Sequence, residues 1–402
     1  MSPPVVVVAA LSARMLAESA RRAGWRVIVL DLFGDTDTRR ASGMWYPIGD
    51  AASLSIDPHR VREALDAASR FPNVIGWIAG SGFEAHRDLL DDKAIALAPI
   101  GNTRDACDAV RDPARFFALL DDAGILHPDT QTHAPADTAG WLVKRADGTG
   151  GVHIRHAAKA AAANRDDYFQ RHQAGRSMSA LFIADTRRAT IIGFNEQLIV
   201  SHGTHPFVYG GALGNIDVPA SLREQIARAA NAIVSRTGLR GLNSLDFIVD
   251  GERCFVLEVN ARPSATLSLH ERDGAMSLLA LHTRVCAGAP LDDVMSNPLD
   301  PTSPMRGELI VFAERERERE RERERKISPE FVQRALNLGW CHDIPVTGSV
   351  VAAGAPLCSV SAACAHGTPP ATLRAELAAR AATLLSIDSI RKSGHADLPL
   401  SR

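Results

Sequence analysis

Leu245-Asp246-Phe247-Ile248-Val249-Asp250-Gly251-Glu252-Arg253-Cys254-Phe255-Val256-Leu257-Glu258-Val259-Asn260-Ala261-Arg262-Pro263 is the stretch on which the reading of this chain turns. Two apolar runs flank Asp250-Gly251, a turn pair, so residues 244–260 are expected to form two antiparallel strands. Alternation on the second strand places Val256, Glu258 and Asn260 on one face, where a carboxylate and an amide oxygen project from otherwise apolar sequence. Burying such a carboxylate is costly unless a cation compensates it. Asp246 joins that face only if the turn has an odd number of residues or the hairpin contains a bulge, which Gly251 makes easy.

Three oxygen donors at Asp246, Glu258 and Asn260 suit Mg²⁺, which takes oxygen ligands and shares them with phosphate. Arg262 lies two residues beyond Asn260 on the same face, where a fixed cation could meet those phosphates. The plain alternative is a pair of exposed hairpin carboxylates with a surface arginine; four such residues at this spacing argue against it.

A second constellation is Val143-Lys144-Arg145-Ala146-Asp147-Gly148-Thr149-Gly150-Gly151-Val152. A strand-end lysine followed by Gly148, Gly150 and Gly151 is what a loop needs to fold N–H groups over phosphates, although a glycine-rich hairpin turn also explains it. The chain has only five lysines, at 93, 144, 159, 326 and 392, so one kept beside this loop carries weight.

Outward from these motifs, residues 1 to about 98 alternate buried-strand and amphipathic-helix patterns, the rhythm of a parallel α/β sheet. The first strand runs into Ala9-Ala10-Leu11-Ser12-Ala13 where a dinucleotide site would carry GxGxxG, so close approach of a pyrophosphate is not provided. From Pro99 onward a helix at Asp112–Ala123, a strand at Trp141–Lys144, strands over 178–200 and a helix over 221–236 suggest an α+β unit. Four prolines mark residues 288–304 as a linker, and a smaller module follows. Six Glu-Arg pairs over Glu314–Arg325 suit neither a helix nor a strand and read as a solvated tract.

The order of a Lys-then-Gly loop, a hinge ending in Gly175 and an Asp…Glu-x-Asn-x-Arg-Pro finish resembles the ATP-grasp superfamily over roughly residues 99–290. The resemblance implies an α/β and α+β multidomain chain: an ATP-grasp fold with an N-terminal Rossmann-like pre-ATP-grasp domain and a small C-terminal module. The boundaries expected are 1–98, an ATP-grasp domain at 99–290 with a lid at about 135–200, a linker at 291–306 and a module at 307–402. By the same resemblance Lys144, Gly148, Gly150 and Gly151 hold ATP phosphates, Asp246, Glu258 and Asn260 bind magnesium, and Arg262 with Lys144 acts on the transferring phosphoryl group.

The hinge Phe169–Gly175 implies adenosine contacts at Gln170, Arg171, His172 and Gln173, with Gln170 standing where relatives often carry a glutamate. Pro113 stands where many have a lysine, leaving Arg111 or Arg115 to replace it. His205, Tyr209 and Ser264 are candidates for substrate contact, His205 and Tyr209 within an expected loop, Ser264 equally suited to a turn. A closer resemblance is to a subgroup found in methylotrophs and associated with methanofuran and tetrahydromethanopterin-type carriers, on Asp112–Phe116, Asp343–Gly348 and Gly354–Cys358. Some such ligases join glutamate to a tyrosine-like amine.

The activity implied is ATP-dependent ligation of a carboxylate to an amine through an acyl phosphate, releasing ADP and phosphate. The alternatives are a biotin-carboxylase-like carboligase, for which no Met-Lys-Met carrier motif is present, and a degenerate ATP-binding regulatory protein. Near-neutral charge, with 45 basic and 47 acidic residues, gives no footprint for nucleic acid. No apolar run reaches the ~20 residues of a membrane span, and six scattered cysteines lack metal spacing, as in a reducing cytoplasm. The expected partners are therefore small-molecule acid and amine, with no nucleic acid or membrane, in a cytoplasmic protein that can be a homodimer.

Overall fold

The computed structural model describes residues 2–157, 166–294, 303–313 and 325–389. Residues 314–324 of the Glu-Arg tract at 314–325 and the centre of the expected linker at 295–302 lie outside the described residues, while Arg325, expected in a solvated tract, pairs with Val351 in a short two-stranded ladder.

The chain opens with a parallel sheet of β1 (Val5–Ala9), β2 (Arg26–Asp31), β3 (Met44–Pro47) and β4 (Val74–Ala79), in the order β3-β2-β1-β4. All five residues of β1 are apolar and buried, because a central parallel strand is covered on both faces. Helix α1 (Arg14–Arg22) crosses from β1 to β2 and buries Leu16, Ala17 and Ala20, a helical stripe.

Thr103 caps α2 (Arg104–Arg111), and Asp112 caps α3 (Pro113–Asp122) by accepting the Arg115 N–H at 3.1 Å. Pro113 is thus the first residue of a helix, where its fixed φ and missing N–H cost nothing. A small sheet follows, β5 (Thr130–Gln131), β6 (Trp141–Arg145), β7 (Arg155–His156) and β8 (Asp167–Arg171), ordered β5-β8-β6-β7.

The largest element is an eight-stranded antiparallel sheet. Its strands are β9 (Arg176–Asp185), β10 (Ala189–His202), β11 (His205–Gly214), β12 (Arg240–Asp250), β13 (Arg253–Asn260), β14 (Met305–Phe312), β15 (Cys341–His342) and β16 (Pro356–Cys364). They lie in the order β13-β12-β9-β10-β11-β14-β16-β15, so the segment beyond residue 304 adds three strands to this sheet.

Alternation along β9 assigns the two faces. Met178, Ala180 and Phe182 join a core with Ile226, Ala230 and Ile233 of α4 (Ala220–Thr237). Leu181 and Ile183 point the other way, into a core with Leu16 and Ala20 of α1 and with Leu279 and Val285 of α5 (Leu278–Cys286). Each fully buried side chain of this size contributes roughly 1.5–3 kcal/mol, so apolar burial is the main force seating the N-terminal sheet on this face. His282 pins the same seam: its Nδ1 accepts the Leu242 N–H at 2.8 Å, and its Nε2 donates to the Ile100 carbonyl at 3.0 Å.

Candidate active site

Strands β12 and β13 are joined by a two-residue turn, Gly251-Glu252, with Gly251 at φ 59°. The register from Asp250↔Arg253 to Phe247↔Val256 is regular, then shifts by one residue so that Asp246 lies opposite Glu258 and Ser244 opposite Asn260. The bulge at Leu257 therefore brings Asp246, Glu258 and Asn260 to one face. It also corrects the strict alternation expected of the sequence. Val256 does not share the face of Glu258; it pairs with Phe247 and both are buried in the core against α4.

On that face the charges are paired across long sequence distances. Asn260 Nδ2 donates to Asp246 at 3.3 Å, and Arg262 donates to Asn260 Oδ1 at 3.2 Å. Arg262 Nε also donates to Glu84 at 2.6 Å. Arg111, the last residue of α2, reaches Glu258 at 3.3 Å, Glu84 at 3.5 Å and the Gly148 carbonyl at 3.4 Å. Of the two arginines considered in place of a lysine at Pro113, Arg111 is in the site and Arg115 is exposed on α3.

Burial and the neighbouring Glu258 push the Asp246 carboxyl up to about 7. Burial also raises Glu258, but Arg111, Lys144 and His153 overcome it and hold this carboxyl below its usual range. Burial depresses the Lys144 ammonium, against the pull of Glu258 and Asp246. Two facing carboxylates with an amide oxygen beside them make an oxygen donor set that fits Mg²⁺.

Lys144 is buried in β6, and its Nζ donates to Gln170 Oε1 at 2.7 Å, while Gln170 Nε2 donates to Thr130 at 3.2 Å. Gln170 thus lies inside β8, with its amide occupied by the small sheet. Arg171, His172 and Gln173 carry the chain from the small sheet to β9. The N–H groups of Arg171 and His172 already donate to the Asp129 and Gly140 carbonyls at 2.8 and 2.9 Å. Arg171 also donates to the Ala139 carbonyl, and Gln173 to Ala174 and Asp250.

The glycine loop is folded down onto β11. Gly151 has φ 78°, and a Cβ there would sit 1.8 Å from the Phe207 carbonyl oxygen. A Cβ on Gly148 would lie 2.2 Å from the His153 ring, and the Gly150 carbonyl accepts the Tyr209 N–H at 3.0 Å. Residues 201–211, expected as a loop, are instead the tip of the β10–β11 hairpin, with His202 paired to His205. Tyr209 is carried to the site, where burial, Glu308 and Asp246 raise its phenol. His205 stays exposed at the hairpin tip, and Ser264 shares a 2.9 Å hydrogen bond with Thr266 in the turn after β13.

Glu84, His153 and Gln197, whose side chain donates to Asp246, were not picked out in the sequence. His153 stands next to the glycine loop and could have been read from it; nothing local marks Glu84 or Gln197.

Residues 110–266 match the ATP-grasp domain family. The arginine-specific large chain of carbamoyl phosphate synthase from Bacillus subtilis is 23% identical over 226 residues, covering 52% of this chain and 22% of that one. The chain thus spans about a fifth of the length of the curated relatives it matches. Among solved structures, L-amino acid ligase from Bacillus licheniformis superposes with a TM-score of 0.67 at 14% identity, covering 96% and 97% of the two chains. The biotin carboxylase domain of Hydrogenobacter thermophilus 2-oxoglutarate carboxylase, a dimer solved with MgADP and bicarbonate, gives 0.64 at 14% identity, covering 90% and 86%. Among the described residues no helix is long and apolar enough to cross a membrane. The chain carries an ATP-grasp domain at residues 110–266, and its fold is the ATP-grasp fold.

Proposed function

We propose that this protein is an ATP-dependent carboxylate–amine ligase working through an acyl phosphate. The observation that carries the reading is the cluster on β12 and β13: Asp246 opposite Glu258, Asn260 beside them, and Arg262 two residues on. A protein that merely sensed nucleotide would have no need to set a cation and a metal-type donor set around one point.

In this reading Asp246, Glu258 and Asn260 hold magnesium, which when bound neutralises phosphate charge. Lys144, with the loop at Gly148, Gly150 and Gly151, grips the ATP phosphates and excludes water from beneath it. Glu84 holds Arg262 by its Nε at 2.6 Å, leaving the guanidinium directed along the Asn260 face toward the transferring phosphoryl group. The substrate carboxylate attacks the γ-phosphate, ADP leaves, and the amine then displaces phosphate from the acyl carbon. Most of the acceleration comes from positioning the two substrates and from electrostatics already in place. The adenosine is expected along the crossover at Gln170–Gln173, with the small sheet of about residues 135–200 as a lid over an ATP-grasp domain of 99–290. Tyr209 is the substrate contact best placed of those expected. A glutamate donor and a tyrosine-like acceptor in one-carbon carrier synthesis is the finer form of the reading, and it rests on the resemblance of the short motifs alone.

Magnesium-dependent ADP release on adding pairs of carboxylic acids and amines tests it, with bicarbonate as a separate arm. Release stimulated by an acid and an amine together supports the ligase. Stimulation by bicarbonate alone supports a carboligase, and tight ATP binding with no stimulation by any pair sinks both.

A further inference from the structure

A second concentration of charge lies on the same face of the large sheet, four strands away from Asp246. The register links the two: Gln197 on β10 donates to Asp246 and accepts from Ser177 at 2.7 Å, Gln197 pairs with Ala212 on β11, and Ala212 pairs with Glu308 on β14. With strands ~4.8 Å apart the separation is roughly 15–20 Å. Tyr209 lies between the two regions and feels both Glu308 and Asp246.

At the far end Arg14, only 2% exposed, donates to Glu308 at 2.6 Å, Asp343 at 2.9 Å and Glu18 at 3.2 Å, and lies 3.8 Å from Asp37. Asp35 completes the group. Five carboxyl groups therefore share one guanidinium, since Arg14 is the cation acting on each of them. His342 adds no charge at neutral pH, because burial lowers it to about 4. Two loops meet at the cluster: Asp37 accepts the N–H groups of Asp343 and Ile344 at 2.8 and 3.0 Å, and the Thr36 N–H donates to the Ile344 carbonyl at 2.7 Å.

Asp35 is the telling residue. It is 6% exposed and stands at the N-cap of the short helix Thr36–Ala41, yet its side chain does not cap that helix. That side chain makes no hydrogen bond or ion pair among the described residues, and burial with the like charges of Asp343, Asp31 and Asp37 pushes its carboxyl well above the usual range, against the pull of Arg14. An ion network built only for stability would not leave a buried carboxylate unpaired beside three others.

We infer that this cluster of Asp35, Asp37, Glu18, Asp343 and Glu308 binds an ammonium group at the end of a substrate remote from its reacting group, so that the ligase acts on a molecule with a cationic end. The inference rests on the ligase reading for its consequence, but the binding itself does not. Glu18, Asp37 and His342 come within 4.8 Å of one another, a spacing that a divalent ion also uses. Arg14 sits against the same carboxylates, and its fixed charge disfavours a dication more than a single ammonium.

The test is thermal unfolding of the full chain without nucleotide, with ethylamine, 1,4-diaminobutane and 2-phenylethylamine at millimolar concentration, their uncharged alcohols as controls, and Mn²⁺ as a separate probe. The expected result is stabilisation by at least one amine and not by its alcohol. Asp35→Asn should raise the melting temperature of the free protein, abolish the amine shift, and raise KM for the substrate that carries the cationic end roughly tenfold without raising that for ATP. A lower melting temperature in D35N would make Asp35 a structural partner and overturn the proposal. So would equal or absent shifts with amines and alcohols, or a Mn²⁺ shift lost in D35N without any amine shift. In Glu258→Gln the amine shift should persist although ADP release is lost. An amine shift in a wild-type protein that never releases ADP would sink the ligase reading and leave the amine site standing.

Discussion

The two charged regions of the large sheet are solved in opposite ways. Around Asp246 and Glu258 the buried carboxylates are met by Arg111, Arg262 and Lys144, and Glu84 in turn ties two of those arginines together. Around Arg14 five carboxyl groups share one arginine, and one of them has no partner. The first arrangement is close to self-sufficient, with each carboxylate in contact with or facing a cation. The second is short of positive charge, and burial with like charges raises the carboxyls of Glu18, Asp35, Asp37 and Glu308. The difference teaches that a site can be recognised by its balance of charge as well as by its residue types.

Four substitutions and conditions test this contrast, in order of expected effect. Glu258→Gln should lower ADP release by about 10³-fold or more with an unchanged circular dichroism spectrum; full activity would remove Glu258 from the metal set. Arg111→Ala strips a cation from the balanced region and leaves Glu258 and Glu84 facing each other, at a cost of about 3–5 kcal/mol in denaturant unfolding. If that variant lost less than 1 kcal/mol, roughly the worth of an exposed pair, the two regions would not differ in how their charges are held.

Gly151→Ala adds a Cβ where the Phe207 carbonyl stands and forces φ 78° on alanine. The loop should lift from β11, weakening ATP binding about tenfold with little change in melting temperature, as measured by nucleotide titration. Unchanged affinity would separate the loop from the phosphates.

The smallest effect is a pH dependence in the seam between the two sheets. Burial lowers His282 to about 4 and His270 to about 3, below the ordinary histidine value of 6.5. The unfolded chain therefore binds more protons between those values, and stability is fully present above pH 6.5 and is lost as pH falls towards 4. The expected loss is on the order of 1 kcal/mol per pH unit for each histidine. His282→Asn should flatten that slope in a pH series of melting curves; an unaltered slope would show that His282 is not what makes the seam acid-sensitive.

Much of the cluster around Asp246 was legible because it is local. Asp246, Glu258, Asn260 and Arg262 fall within one hairpin; strand periodicity gathers Glu258 and Asn260, while Asp246 joins them through the bulge at Leu257, which leaves Val256 on the other face. Lys144 and the glycine loop are likewise a strand end and its turn. The partners of these residues were not legible, since Arg111 meets Glu258 across 147 residues and Arg262 meets Glu84 across 178. The segment 201–211 misled for a related reason: its polar composition reads as loop, but pairing with β14 on one side and β10 on the other makes it strand.

The sequence by itself determined that Glu258 and Asn260 share a strand face, because side chains alternate along a strand. It also determined the parallel first sheet, through apolar runs that only burial on both faces explains. Tertiary structure alone decided how those charges are balanced. Electrostatic energy depends on distance and burial rather than on order in the chain, so neither the clamp of Glu84 on Arg262 nor the surplus of carboxylates around Arg14 exists until three distant segments meet on one sheet.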